Sequence, residues 1–252
     1  MGRRILYIEP TPDPEKKERL QAYLRQYASP GTEVQVESLI RGTLHLEYLS
    51  YSAAAVPEIL ARVQHAEQAG FDAAIIGCFY DPGLFEAREI SRSMPVTAPA
   101  ESALRLAVML GHKFSIIVGR RKWIPTMEEN VRRYGLGNRL ASFKPIGMGV
   151  EDFHRDPEET ERRLIQAARS AVLDDGAEVM ILGCTMQLGF FRKLQDLVGV
   201  PVIDVAVAAL KQAEHLIEVG SWGWVPSKVG GYETPPDDEL AAWNLPELLR
   251  RK

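Results

Sequence analysis

Short apolar runs alternate along the chain with longer stretches of helical spacing. The run ILYI, Ile5 to Ile8, reads as a strand. A helix is predicted after it, with Asp13 as N-cap, Pro14 in its first position, and Leu20, Tyr23, Leu24 and Tyr27 on one face. The same order starts again at FSIIV, Phe114 to Val118, with a helix from about Pro125. Middle strands follow near Glu33 to Val36 and near Ala141 to Ile146. Long helices are predicted to start near Pro57 and near Asp156-Pro157, the second carrying Leu164, Ala168, Ala171 and Val172 on one stripe. Each stretch then gives an apolar strand ending in Gly-Cys, a short helix, a Pro-Val strand and a closing helix. Strands alternating with helices predict α/β architecture with mostly parallel sheets flanked by helices.

The two stretches are copies of one unit. Gly70 to Ala107 aligns with Gly176 to Ala213 at a constant offset of 106 without a gap, and 12 of the 38 pairs are identical. Composition alone would give roughly two or three. The identities pair Gly77 with Gly183, Cys78 with Cys184, Gly83 with Gly189, Phe85 with Phe191, Pro95 with Pro201 and Val96 with Val202. So long a period implies a duplicated half-domain rather than a solenoid. The expected organisation is two pseudosymmetric halves related by a twofold, with the active site in the cleft between them. Residues 1–98 with 207–252 form the first, the last helix and tail returning to it, and residues 99–206 form the second.

Composition narrows the partners. The 252 residues, 46% of them hydrophobic, are enough for two cored halves. A net charge of −4, from 30 basic and 34 acidic side chains interspersed, offers no basic face for nucleic acid or an anionic membrane. Small, neutral or mildly polar partners fit better. No run is long enough to span a bilayer or to form the core of a signal peptide, so a cytoplasmic protein with reduced thiols is expected. His45, His65, His112, His154 and His215 are scattered, and HExxH, paired CxxC, GxxxxGK[ST] and an early GxGxxG are absent. Neither a metal nor a nucleotide is expected.

Cys78 and Cys184 follow apolar strands, at the carboxyl edge where parallel sheets bind ligands. A helix N-terminus near each sulfur would favour thiolate. A lone cysteine in such a place is more often a small core residue. Duplicate placement at the ligand-binding edge turns the balance toward chemistry. Two sulfurs facing each other across a cleft would suit removal of a proton from one face of a carbon and its return on the other, one as thiolate base and one as thiol acid.

At these residues the chain resembles the aspartate/glutamate racemase superfamily, and within it the hydantoin racemase branch. The resemblance runs from Ile5 to about Pro235. It is carried by PGTEV at Pro30, CF-x-DPG at Cys78, YGL at Tyr134, DDGAE at Asp174, LGC at Leu182, GVPVID at Gly199, AALKQAE at Ala208 and SK-x-G-x-Y at Ser227. It implies the two-half fold, a cofactor-independent isomerase without metal, Cys78 and Cys184 as the catalytic pair, and assembly as a homo-oligomer. The implied substrate is a 5-substituted hydantoin or the related ureido ring of allantoin. The chain departs from the branch around the site. EPTPDP stands where an Asn-Thr-Ser turn is usual, so Glu9, Pro10 and Thr11 replace it. Phe79, Tyr80, Asp81 and Pro82 follow the first cysteine where Phe-Asp-Asp-Pro is common, and Thr185, Met186 and Gln187 follow the second where Ala-Gly-Met is common.

Pro10, Thr11, Phe79, Tyr80, Thr185 and Met186 are therefore the candidate substrate-binding residues, with packing an equal reading for the aromatic pair. Backbone N–H groups of the cysteine loops, with the Thr185 hydroxyl, are the candidates to stabilise an enolate. Asp81, before Pro-Gly, reads as turn chemistry. Arg120 and Arg121 offer carboxylate binding or a solvated pair. The tail from Ser221, with Trp222, Trp224, Pro226 and Trp243, is expected to pack on its own half. Two alternatives stay open: other chemistry on the same scaffold, namely amino-acid racemisation, decarboxylation or cis-trans isomerisation, and a non-catalytic small-molecule binder.

Overall fold

The computed structural model describes residues 2–250. The chain divides into two compact units, Met1–Ala98 with Ala209–Lys252, and Pro99–Ala208. Each holds a four-stranded, wholly parallel sheet.

In the first unit β1 (Arg3–Glu9) lies between β2 (Thr32–Ser38) and β3 (Ala73–Ile76), and β4 (Val96–Thr97) completes the order β2-β1-β3-β4. Ile5, Leu6, Tyr7 and Ile8 of β1 have no exposed surface, and the AAII of β3 is equally enclosed. Continuous apolar runs of this kind mark strands covered on both faces, and each fully buried large side chain contributes roughly 1.5–3 kcal/mol. Helix α1 (Pro14–Arg25) begins as the sequence predicts: the Asp13 carboxylate accepts from the Glu15 and Lys16 N–H groups and Pro14 opens the first turn.

Helix α2 (Leu49–Gln68) corrects the sequence reading. It starts well before Pro57, which lies inside it. The missed turns lack a start signal, since Tyr48 at the N-cap makes no side-chain capping bond. They are tolerated because Leu49 to Tyr51, Ala53, Ala54 and Pro57 are all exposed, so water can take up the carbonyl that Pro57 cannot serve. α3 (Leu84–Ile90) follows the first cysteine.

The second unit repeats the plan. Its α4 (Pro99–Leu110) precedes β5 (Phe114–Val118), a 3₁₀ turn at Arg121–Trp123, α5 (Ile124–Arg133), β6 (Leu140–Pro145), α6 (Pro157–Asp175), β7 (Val179–Leu182), α7 (Phe191–Val198) and β8 (Val202–Asp204). The sheet order is β6-β5-β7-β8. Asp156 caps α6 by accepting from the Glu159 N–H, and Leu164, Ala168 and Ala171 form its buried stripe, joined by Thr160.

Helix α8 (Val205–Gly220) starts in the second unit and lies mostly in the first. It is bound there by Glu214, whose carboxylate accepts from the Ser29 N–H and hydroxyl, each at 2.7 Å, and by the Thr97 hydroxyl donating to the Ala209 carbonyl. The tail packs on the same unit, though not through its tryptophans. Trp222, Trp224 and Trp243 are more than half exposed, whereas Leu240 of α9 (Asp237–Trp243) and Leu245 just beyond it are buried. Tyr232 stacks on Phe85, and Lys228 donates to the Arg88 carbonyl. Among the described residues no helix is long and apolar enough to cross a membrane.

Candidate active site

Each cysteine sits two residues past the end of the strand that flanks the first strand of its sheet, with a glycine between. The Gly77 N–H donates to the Ile8 carbonyl at 2.8 Å, extending the β1–β3 ladder by one bond. The chain then turns: Cys78 N–H donates to Ile76 at 2.9 Å, and Asp81 N–H returns to the Cys78 carbonyl at 2.9 Å. Gly83, at φ 71°, launches α3 from a left-handed conformation that glycine adopts without strain.

A glycine is required before the cysteine for a different reason. A Cβ on Gly77 would lie 2.3 Å from the Tyr7 ring and 2.7 Å from the Ile8 carbonyl. The sulfur therefore follows a strand pressed against its neighbour and has little freedom to move.

Burial distinguishes the cysteines from their neighbours. Residues 73–77 and 79–82 are buried, as are residues 179–183 and 185–188, while Cys78 and Cys184 are half-buried. Each is thus the opening in an otherwise enclosed strand and turn, which a plain core thiol would not be. Neither is in a disulfide. The helices that follow begin at Leu84 (α3) and Phe191 (α7), beyond each cysteine turn. The turn itself supplies the donor: the Tyr80 N–H points at Cys78 Sγ at 3.5 Å.

The other predicted residues fall on the same edges. In the first unit Pro10 and Thr11 follow β1, while Phe79 (3% exposed) and Tyr80 (9%) follow Cys78. In the second unit Thr185 and Met186 are buried immediately after Cys184. Asp81 has φ 49°, so the turn uses it as expected. Arg121 is exposed and Arg120 half-buried.

Three neighbours escaped the sequence reading of the site. Glu9 was read only as part of a replaced turn, yet its carboxyl is 3% exposed at the end of β1. One oxygen accepts from the Thr11 hydroxyl at 2.8 Å and the other has no hydrogen-bond partner in the protein. Burial pushes its pKa up to about 7, against the opposing pull of the Thr11 hydroxyl and Lys16. His154 donates from Nε2 to the Met186 carbonyl at 2.8 Å and stacks on Phe190, bracing the second turn. The carbonyl can only accept, so Nε2 carries the proton. Gln187 is buried with its carboxamide unpaired. Among the described residues no group of three or more His, Cys, Asp or Glu is placed to hold a metal ion.

The sequence matches the Asp/Glu/Hydantoin racemase family over residues 15–213. The chain belongs to this family. It is 35% identical over 237 residues to the hydantoin racemase of Paenarthrobacter aurescens, spanning 94% of this chain and 99% of that one. It is 37% identical over 193 residues to the hydantoin racemase of Pseudomonas sp. strain NS671, spanning 77% and 74%. The allantoin racemase of Klebsiella pneumoniae superposes with a TM-score of 0.85 at 29% identity, covering 94% of this chain and 95% of its own. As a member of this racemase family the chain is an isomerase, and the parallel two-unit plan is the family's fold.

Proposed function

We propose that this racemase inverts the acidic ring carbon of a 5-substituted hydantoin, or of the related allantoin ring, without a cofactor, using Cys78 and Cys184 as its two acid/base groups. The observation that carries this reading is the duplicated Gly-Cys turn, in which the cysteine alone opens an otherwise buried segment. The names of the similar proteins, hydantoin racemase and allantoin racemase, support the substrate class.

The chemistry follows from what inversion needs. A proton must leave one face of the carbon and another must return to the opposite face, so two groups are required, one deprotonated and one protonated. A thiolate takes the proton, the electron pair moves onto the adjacent ring carbonyl as an enolate, and the other thiol returns a proton to carbon. The cysteines then have exchanged protonation states, and the reverse reaction restores them. The Tyr80 N–H, 3.5 Å from Cys78 Sγ, is placed to donate to that sulfur. Turn N–H groups, with the Thr185 hydroxyl, are assigned to the enolate oxygen. Pro10, Thr11, Phe79, Tyr80 and Met186 are assigned to the walls around the ring.

The test is racemisation of enantiopure 5-substituted hydantoins and allantoin in D₂O, followed by optical rotation and mass spectrometry, for wild type, Cys78→Ala and Cys184→Ala. Wild type should racemise a ring with deuterium uptake at the ring carbon. Each variant should lose racemisation, and any residual exchange should be confined to one enantiomer. Full racemisation by either variant would overturn the two-base assignment.

A further inference from the structure

Gln187 poses a question that the cysteine turn does not answer. It is 1% exposed, and neither its Oε1 nor its Nε2 has a hydrogen-bond partner in the protein. The great majority of buried polar side-chain atoms are paired, and leaving an amide unpaired disfavours the fold.

The turn itself makes no use of this side chain. Its contribution comes from the Gln187 backbone, whose N–H donates to the Cys184 carbonyl at 3.0 Å. The equivalent residue in the first turn, Asp81, has a left-handed backbone that Asp tolerates, whereas Gln187 has no positive φ to satisfy. An apolar side chain of the same size would complete the turn equally well. A carboxamide held here, three residues after a half-buried cysteine, is therefore explained by something other than the local fold.

We propose that the Gln187 carboxamide is a specificity-determining group that recognises an edge of the substrate ring on which an N–H and a C=O lie side by side. The inference rests on the racemase reading above and names what that site selects. A carboxamide presents one donor and one acceptor in a plane, the complement of a cis-amide edge. The hydantoin and allantoin rings carry such edges. A free amino acid does not: its carboxylate only accepts and its ammonium only donates. Because the amide is enclosed by protein, a ring that reaches it pairs with both polar atoms away from bulk solvent, where such bonds count most. A substrate that cannot pair both atoms leaves a buried polar group unsatisfied, which is how a polar site rejects an analogue.

The experiment compares wild type with Gln187→Met, which keeps the volume and removes both polar atoms, and Gln187→Leu, a second apolar replacement of similar size. Each is assayed with one enantiopure 5-substituted hydantoin and its N1-methyl and N3-methyl derivatives. The expected result is a KM raised about tenfold or more in Gln187→Met with kcat changed far less, the scale of one lost pair of hydrogen bonds. Methylation of one ring nitrogen should weaken wild type and make little further difference to the variant, a coupling that mere loosening of the turn would not produce. Gln187→Met should melt no lower than wild type. If that variant does not fold, Gln187→Leu gives the same comparison. A KM within twofold of wild type for the folded variant, or equal methyl penalties in both proteins, would overturn the proposal. If wild type turns over no ring, the racemase reading fails by itself. Calorimetric titration of the same rings then decides the role of Gln187: binding by wild type that weakens tenfold in the variant upholds it, and equal or absent binding refutes it.

Discussion

In the first unit Gly77 N–H meets the Ile8 carbonyl at 2.8 Å, and in the second Gly183 N–H meets that of Ile117 at 2.8 Å. Cys78 N–H and Cys184 N–H each donate to the strand end at 2.9 Å, and the returning bonds, Asp81 to Cys78 and Gln187 to Cys184, measure 2.9 and 3.0 Å. Gly83 and Gly189 close the two turns at φ 71° and 81°. Yet the residue after the first strand's paired carbonyl is a buried carboxyl in one unit, Glu9, and a buried valine in the other, Val118. The residue that returns to the cysteine carbonyl is a left-handed Asp81 in one and an unpaired Gln187 in the other. The backbone that places the sulfur has been kept in both copies, and the side chains around it have diverged. Under the two-base proposal this is the pattern expected: the sulfurs are held alike while the groups around each are free to differ.

The comparison breaks first at the sulfurs. Replacing either cysteine by serine, a far weaker acid, should lower kcat/KM for ring racemisation by about 10² to 10⁴-fold, with the two losses of similar size. A variant that keeps more than a tenth of wild-type activity would show that the copies are not chemically equivalent. Next come the glycines before the cysteines. A Cβ at Gly183 would meet Ile116 Cγ2 at 2.8 Å and the Ile117 carbonyl at 2.9 Å, less severe than the 2.3 Å approach to Tyr7 at Gly77. Gly77→Ala should therefore destabilise by about 3 kcal/mol or more and Gly183→Ala by about 1–3 kcal/mol, read from urea midpoints. The reverse order would mean that the first turn yields more easily than the second.

Glu9 sharpens the contrast through pH. Its pKa is raised from 4.5 to about 7 in the folded chain, chiefly by burial. Below about pH 4.5 the carboxyl is protonated whether folded or unfolded. Between 4.5 and about 7 only the unfolded chain releases the proton, so stability falls as pH rises and levels off above the folded value. Glu9→Gln should remove this slope, matching wild type at pH 4 and exceeding it by up to about 3 kcal/mol at pH 8. Denaturation midpoints across that range read the difference, and parallel slopes for the two proteins would refute it. Val118 gives the second unit no such dependence.

The fold was legible because its signals are local or periodic. Asp13-Pro14 and Asp156-Pro157 are capped starts that need no tertiary context, and the 106-residue offset places β3 and β7 in the same register of their copies. Pro57 misled because a proline at a helix start and one tolerated on an exposed helix face look alike until burial is known. Cys78 and Cys184 stand out in the sequence through duplication. Glu9, Gln187 and His154 were not assigned to the site, because an unpaired buried carboxyl, an unpaired buried amide, and a ring that meets a carbonyl 32 residues away are properties of packing alone.

The smallest expected difference lies at the glycines that close the turns. Both are left-handed, and alanine in that conformation is disfavoured by about 1–2 kcal/mol, so the two substitutions share most of their effect. They differ in what surrounds the new methyl. At Gly83 it would stand 3.0 Å from Val56 Cγ1, on the helix α2 that the sequence reading began too late; at Gly189 nothing lies within 4 Å. Gly83→Ala should thus destabilise slightly more than Gly189→Ala, by less than about 1 kcal/mol, since Val56 can shift by a few tenths of an ångström. Equal urea midpoints would show that α2 accommodates the methyl freely. A larger loss at Gly189 would mean that the second turn is held by contacts beyond the backbone it shares with the first.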